Sequence, residues 1–187
     1  SKKLTEVAPF TVDLLLPSGA ENLNYVLYTD ESPYKMQREW LDRLPFDIYS
    51  VNVHTGAKRL IGRSYRTAPK WSVNGKWAVM YDPIAQVWNK FDGATGKVVN
   101  ISDAIGYPMF MESYDKPAPA PAYGIAGWTA DGNNVFLYDA YDWWKIDLTG
   151  ERQPECLTKG YGRKHGKSIR KMTSNICLLY TSDAADE

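Results

Sequence analysis

Two twelve-residue stretches of this chain align without a gap. Trp71-Ser72-Val73-Asn74-Gly75-Lys76-Trp77-Ala78-Val79-Met80-Tyr81-Asp82 matches Trp128-Thr129-Ala130-Asp131-Gly132-Asn133-Asn134-Val135-Phe136-Leu137-Tyr138-Asp139. Each copy runs on into a second short strand, Val87 to Asp92 in one and Asp142 to Asp147 in the other. A turn with glycine follows, Ala94-Thr95-Gly96 or Leu148-Thr149-Gly150, and then a last short strand ending near Ile101-Ser102 or Leu157-Thr158. A looser third copy comes first: Tyr25 to Asp30 as its inner strand, Asp47 to Val53 next, His54-Thr55-Gly56 as its turn and Lys58 to Ile61 as its edge.

The physics of one unit is legible. Trp-Ser/Thr-x-Asn/Asp-Gly closes a tight hairpin, because glycine accepts positive φ and Asn or Asp tolerates the left-handed region. The run Trp77 to Tyr81 is apolar at every position, as in a strand buried on both faces. The next strand alternates, with Trp88 and Phe91 in mixed polar company, and reads as a half-exposed strand. The outermost strand is short and carries Lys or Glu, which blunts a sheet edge. Four short antiparallel strands repeated at roughly 40–57 residues are the pattern of β-propeller blades. The fold class expected is therefore all-β: a partial propeller of about three four-stranded antiparallel blades, near residues 22–62, 68–102 and 123–158. A β-sandwich of unrelated hairpins is the alternative, and the gapless match weighs against it.

Two insertions interrupt the units. In 31–46, Ser32-Pro33 opens an expected short helix carrying Met36, Trp40, Leu41 and Leu44 and closed by Pro45. Residues 103–123 hold Pro108, Pro117, Pro119 and Pro121 with Tyr107, Phe110, Tyr114 and Tyr123, too proline-rich for a central strand. Long loops in compact domains are often functional, so Glu112, Tyr114, Asp115 and Tyr123 are the candidate substrate-channel residues. The other reading is a covering loop whose aromatics pack on the blades. Of the pair Trp143 and Trp144, which point to opposite faces of one strand, one is expected in the core and the other towards a neighbouring blade.

Composition narrows the function classes. Apolar residues make up 44% and charged residues 24%, as in globular material, and no apolar run approaches the roughly 18 residues of a membrane span. Lys plus Arg balances Asp plus Glu at 22 each, which argues against a nucleic-acid partner. The basic stretch Arg163, Lys164, Lys167, Arg170, Lys171 reads as a solvated connector, and Gly160 to Ser168 lacks the first glycine and the preceding strand of a phosphate loop. Neither His54 nor His165 has a second His or Cys at ligand spacing, so no metal or other cofactor is expected. Asp131-Gly132-Asn133-Asn134 lacks the remaining ligands of a calcium loop. Cys156, on an edge strand, reads as a small packing residue.

The stretch Tyr123-Gly124-Ile125-Ala126-Gly127-Trp128-Thr129, then Val135 to Asp139, then Tyr141-Asp142-Trp143-Trp144-Lys145-Ile146-Asp147 and Cys156-Leu157-Thr158, resembles the N-terminal propeller of prolyl oligopeptidase family serine peptidases. The likeness is to the dipeptidyl peptidase IV-like, secreted, Bacteroidetes-type members. It covers about residues 22–170 and is generic outside 123–158. The resemblance implies a propeller that gates peptide substrates over an α/β-hydrolase domain with a Ser-Asp-His triad, in a periplasmic or extracellular parent protein. The chain has no Gly-x-Ser-x-Gly elbow; Gly62 to Arg66 and Gly166 to Arg170 both lack the second glycine. The chain alone is therefore expected to have no catalytic residues and no peptidase activity, with the missing hydrolase domain and a peptide as its partners. Three blades alone are expected to be marginally stable or to aggregate through open edges. Two alternatives stay open. One is a non-catalytic envelope propeller for protein binding. The other is a glycoside hydrolase propeller, which needs carboxylates where this chain has Lys70, Trp71, Ile125 and Ala126.

The tail Cys177 to Glu187 resembles the in-frame translation of a sequencing-library adaptor, so residues 1–176 are read as the native part of a metagenomic fragment. Setting aside Asp183, Asp186 and Glu187 leaves 22 basic against 19 acidic residues, a net charge of +3. A natural frayed tail is the alternative. The start at Ser1-Lys2-Lys3-Leu4 carries neither a signal peptide nor an initiator Met and is expected not to be a natural one.

Overall fold

The computed structural model describes residues 14–19, 21, 23–41 and 43–171; the tail segment 177–187 lies outside the described residues. The chain is an all-β partial propeller of three four-stranded antiparallel sheets. The first holds Leu14–Leu16 (β1), Tyr25–Asp30 (β2), Phe46–Asn52 (β3) and Lys58–Tyr65 (β4). The second holds Lys70–Trp71 (β5), Trp77–Asp82 (β6), Val87–Asp92 (β7) and Val98–Asn100 (β8). The third holds Ile125–Trp128 (β9), Asn134–Tyr138 (β10), Trp143–Asp147 (β11) and Glu155–Cys156 (β12). In each, the strands lie side by side in chain order.

The sheets stack face to face, and the side-chain period of two does the sorting. On β6, Ala78 and Met80 enter a cluster with Leu27, Phe46, Ile48, Tyr65 and Phe91, between the first and second sheets. Val79 and Tyr81 enter the opposite cluster with Trp88, Val135, Leu137, Trp144 and Ile146, between the second and third. A strand covered on both sides has no polar face to show, which is why Trp77 to Tyr81 reads as an unbroken apolar run. The repeat preserves this geometry. Val135 and Leu137 of β10 face the preceding sheet as Ala78 and Met80 do, and Phe136 and Tyr138 take the register places of Val79 and Tyr81.

Three expectations need correction. In the first sheet Tyr25–Asp30 is the second strand; β1 pairs outside it, with Leu15 opposite Tyr28, so the sheet spans residues 14 to 65. The Leu14-Leu15-Leu16 run carries no Trp-Ser/Thr-x-Asn/Asp-Gly hairpin, so the repeat signature is silent there. β7, expected to be a half-exposed strand, shows no open face: Trp88 and Phe91 are buried, at 4% and 0%, and its other four residues are half-buried. The two aromatics sit three residues apart and so fill opposite clusters, while Lys90 reaches across to donate to the Leu148 carbonyl at 2.6 Å. In the first insertion the helix is a 3-10 turn at Ser32–Gln37, which leaves Met36 and Trp40 exposed and only Leu44 buried.

Turns repeat as faithfully as strands. Asn52, Asp92 and Asp147 end the third strand of each sheet, and their side chains accept from backbone N–H groups two residues on (His54, Ala94, Thr149). Asp82 and Asp139 do the same after β6 and β10, towards Ile84 and Tyr141. The two Trp-x-x-x-Gly hairpins also touch: the Asn74 side-chain amide donates to the Asp131 carbonyl at 2.8 Å. Gly132 has φ +69°, and a Cβ there would lie 2.7 Å from the Asn74 backbone nitrogen. Gly150 has φ +85° but open space around it. Gly150→Ala should cost about 1 kcal/mol for the left-handed backbone alone, and Gly132→Ala clearly more, because it also pushes the hairpins apart. Urea midpoints of the two variants test this; equal midpoints would mean that the hairpin contact contributes nothing.

Candidate functional site

The chemistry concentrates where β10 turns into β11. Asp139 holds the turn expected from the repeat, accepting the Tyr141 and Asp142 N–H groups at 2.7 and 2.6 Å. It is completely buried, and its second oxygen takes Trp144 Nε1 at 3.0 Å and Arg163 Nη2 at 3.2 Å. The arginine comes from a one-turn helix, Tyr161–His165 (α1), in the connector after β12. Its guanidinium lies over the rings of Tyr107, at 4.0 Å, and Tyr141, at 5.1 Å. A buried carboxylate in a turn needs a cation, and the connector supplies one flanked by aromatic faces.

Asp142 fixes the same helix from below. It accepts from Thr158 Oγ1, the Gly162 N–H at 2.9 Å and the Arg163 N–H at 3.1 Å. Gly162 fits because a Cβ would lie 2.6 Å from the Tyr141 carbonyl. Further along, Trp143 Nε1 donates to the Ile169 carbonyl, and the Arg170 guanidinium stacks over Tyr138 at 4.7 Å. So Trp144 is the core partner of the tryptophan pair, and Trp143 lies on the other face, edge-on to Tyr138. The stretch read as a solvated connector is thus a clasp held on the third sheet; its two carboxylate anchors are buried and so cannot be recognised by charge counting.

Above the clasp opens a cavity of about 430 Å³, lined by Tyr107, Asp142, Trp144, Cys156, Gly160, Arg163 and Lys164. Tyr107 arrives from the 103–123 insertion. That loop is anchored by Ile105 and Met109, buried in the cluster between the second and third sheets. It then doubles back, with Phe110 bridged to Ala122 and Tyr81 Oη donating to the Ala120 carbonyl at 3.1 Å. Tyr107 stays 45% exposed and leans on Trp144 at 5.9 Å between ring centres.

The four channel candidates lie elsewhere on this loop. Glu112 and Asp115 are exposed, and Tyr114 and Tyr123 are half-buried. The Glu112 N–H donates to Tyr123 Oη at 3.3 Å, and Tyr123 lies under Arg170 at 5.4 Å. Neither Tyr114 nor Asp115 makes a side-chain hydrogen bond, ring contact or ion pair among the described residues, and none of the four lines the cavity. Tyr107, Asp139, Asp142 and Arg163 were not singled out as site residues from the sequence. For Asp139 a signal existed: it aligns with Asp82, and the Trp and Arg gathered on it have no counterpart in that unit.

His165 Nδ1 pairs with the Tyr161 carbonyl and stacks on that ring, and His54 sits exposed in its turn. Among the described residues neither imidazole meets a serine hydroxyl, and no three His, Cys, Asp or Glu side chains gather as a metal site. Among them, too, no helix is long and apolar enough to cross a membrane. Cys156 is a free thiol on the edge strand; its sulfur accepts from the Gly160 N–H at 3.3 Å.

Burial alone would raise the Asp142 carboxyl, but the hydrogen bonds from Thr158, Arg163 and Gly162 and the Arg163 charge outweigh it, leaving it below the ordinary 3.8. Asp147 is lowered in the same way, its burial outweighed by donors from Thr149, Glu151 and Arg152. A depressed folded value stabilises fully above the unfolded value, and that stability is lost as pH falls through the folded one. Urea midpoints should therefore be flat near neutrality and fall below about pH 4, with a shallower fall in Asp142→Asn. An unchanged acid limb in that variant would refute the role of this carboxylate. No protein-family model matches the chain, and a search of the curated proteins finds no match either.

Proposed function

We propose that the chain is part of the substrate-gating propeller of a secreted serine peptidase that acts on peptides, with catalysis residing in an α/β-hydrolase domain of the parent protein. The observation that carries the reading is the third sheet. The residues that resemble a peptidase propeller, 123–158, supply all four of its strands, its buried Asp139 turn and one wall of the cavity. A domain that gates substrates needs concave surface beside the blades, and the 103–123 insertion and the clasp create it. A periplasmic or extracellular location goes with that reading.

The test is the DNA beyond codon 176, amplified outward from the source. A frame that continues through further blades into a domain with Gly-x-Ser-x-Gly, Asp and His in that order supports the peptidase reading. A frame that stops after a last blade overturns it in favour of an envelope propeller that binds proteins. The same sequence decides whether Cys177 to Glu187 are native.

A further inference from the structure

We propose that the cavity between Tyr107, Trp144 and Arg163 binds a small carboxylate with an apolar body, the chemistry shared by the C-terminal residue of a peptide and a free aryl or alkyl carboxylic acid. This inference stands apart from the peptidase reading. The volume of about 430 Å³ suits a ligand of that size. Two aromatic rings, Tyr107 and Trp144, meet at its wall with a 44° tilt and offer apolar contact, and the Cys156 thiol adds to it.

The sign of the ligand's charge follows from which polar groups remain uncommitted. Asp142 lines the cavity, but its oxygens already accept from Thr158, Gly162 and Arg163, so it has little to offer an incoming cation. Arg163 spends Nη2 on Asp139, while its buried Nε makes no hydrogen bond among the described residues. Lys164 is exposed, and its ammonium has no partner among them. The polar groups of the cavity still without a partner are therefore donors on cationic side chains, the Arg163 Nε–H and the Lys164 ammonium. The guanidinium is held by Asp139 and the faces of Tyr107 and Tyr141, so little ordering is left for an anion to impose. Apolar walls with one spare guanidinium N–H and one ammonium fit a single carboxylate better than a multiply charged phosphate.

Cys156 supplies the readout, because it lines the cavity and the chain has one other cysteine, Cys177. In the full chain carrying Cys177→Ser, the rate of Cys156 modification by a sulfonate-bearing methanethiosulfonate should exceed that by a trimethylammonium-bearing one, and added salt should shrink the difference. N-acetylphenylalanine should protect the thiol saturably, whereas its C-terminal amide should not. Lys164→Gln, an exposed change that leaves the urea midpoint alone, should weaken protection about threefold. Protection by N-acetylphenylalanine but not by phenylacetate assigns the site to peptide C-termini, and protection by both assigns it to carboxylic acids at large; each supports the proposal. Equal protection by acid and amide, no protection by either acid, or a Cys156 that does not react in the folded chain overturns it.

Discussion

Replacing Asp139 with alanine is expected to cost about 3 kcal/mol of folding stability, because it takes the buried member from a half-buried ion pair and leaves several donors without a partner. The carboxylate is completely buried and serves the Tyr141 and Asp142 N–H groups, Trp144 Nε1 and Arg163 Nη2. Alanine leaves the Arg163 guanidinium between its two rings without its hydrogen-bonded counter-charge, the Asp142 carboxylate nearby being engaged by Thr158 and backbone N–H groups. The indole N–H is also stranded in a side chain that is only 9% exposed. Asp139→Asn keeps an oxygen for the turn and should cost less, about 2 kcal/mol, since the amide has no charge for the guanidinium. The clasp should open first: hydrogen exchange of 158–171 should quicken in both variants more than that of β6. An unfolding free energy from urea titration within about 0.5 kcal/mol of the parent for Asp139→Ala would show that the turn and clasp do not depend on this carboxylate.

That prediction also shows where sequence reasoning reaches and where it stops. The blades were legible because a strand pressed between two sheets has to be apolar on both faces, and because the Asx turns that end each strand recur at fixed places. Trp71 with Gly75 and Trp128 with Gly132 mark their hairpins directly. The first sheet was legible only in part, since Leu14–Leu16 carries neither turn signal nor alternation. β7 departs from its sequence pattern for a physical reason. Asn89 and Lys90 look like solvent-facing residues, yet they lie in the same two interfaces as Phe91 and Trp88, each reaching a partner on a neighbouring sheet, Tyr65 Oη at 3.5 Å and the Leu148 carbonyl. The clasp was hidden more deeply. Arg163 stands in a basic run that has the composition of a solvated loop, and its meeting with an aspartate 24 residues earlier leaves it half-buried. Tyr107 joins the cavity wall by the path of a long insertion, which no local spacing dictates.

Phe91→Ala and Leu137→Ala should destabilise the chain by similar amounts, about 3 kcal/mol each, yet loosen different parts of it. Both side chains are wholly buried. Phe91 lies between the first and second sheets, edge-on to Tyr25 at 6.1 Å and to Trp71 at 6.2 Å. Leu137 lies between the second and third, in the cluster with Val79, Tyr81, Trp88 and Trp144. Stacked repeats touch only their neighbours, so a cavity in one interface weakens the coupling of those two sheets and leaves the other interface intact. Hydrogen exchange in Phe91→Ala should therefore quicken across β2 and β3 while β10 and β11 keep their protection, and Leu137→Ala should give the reverse pattern. Loss of protection in all three sheets by either variant would mean that they open as one cooperative unit. In that case the shared second sheet, rather than each interface, sets the stability of the whole. β6 decides between the two outcomes, because it alone presents a full row of side chains to both clusters: Ala78 and Met80 to one, Val79 and Tyr81 to the other.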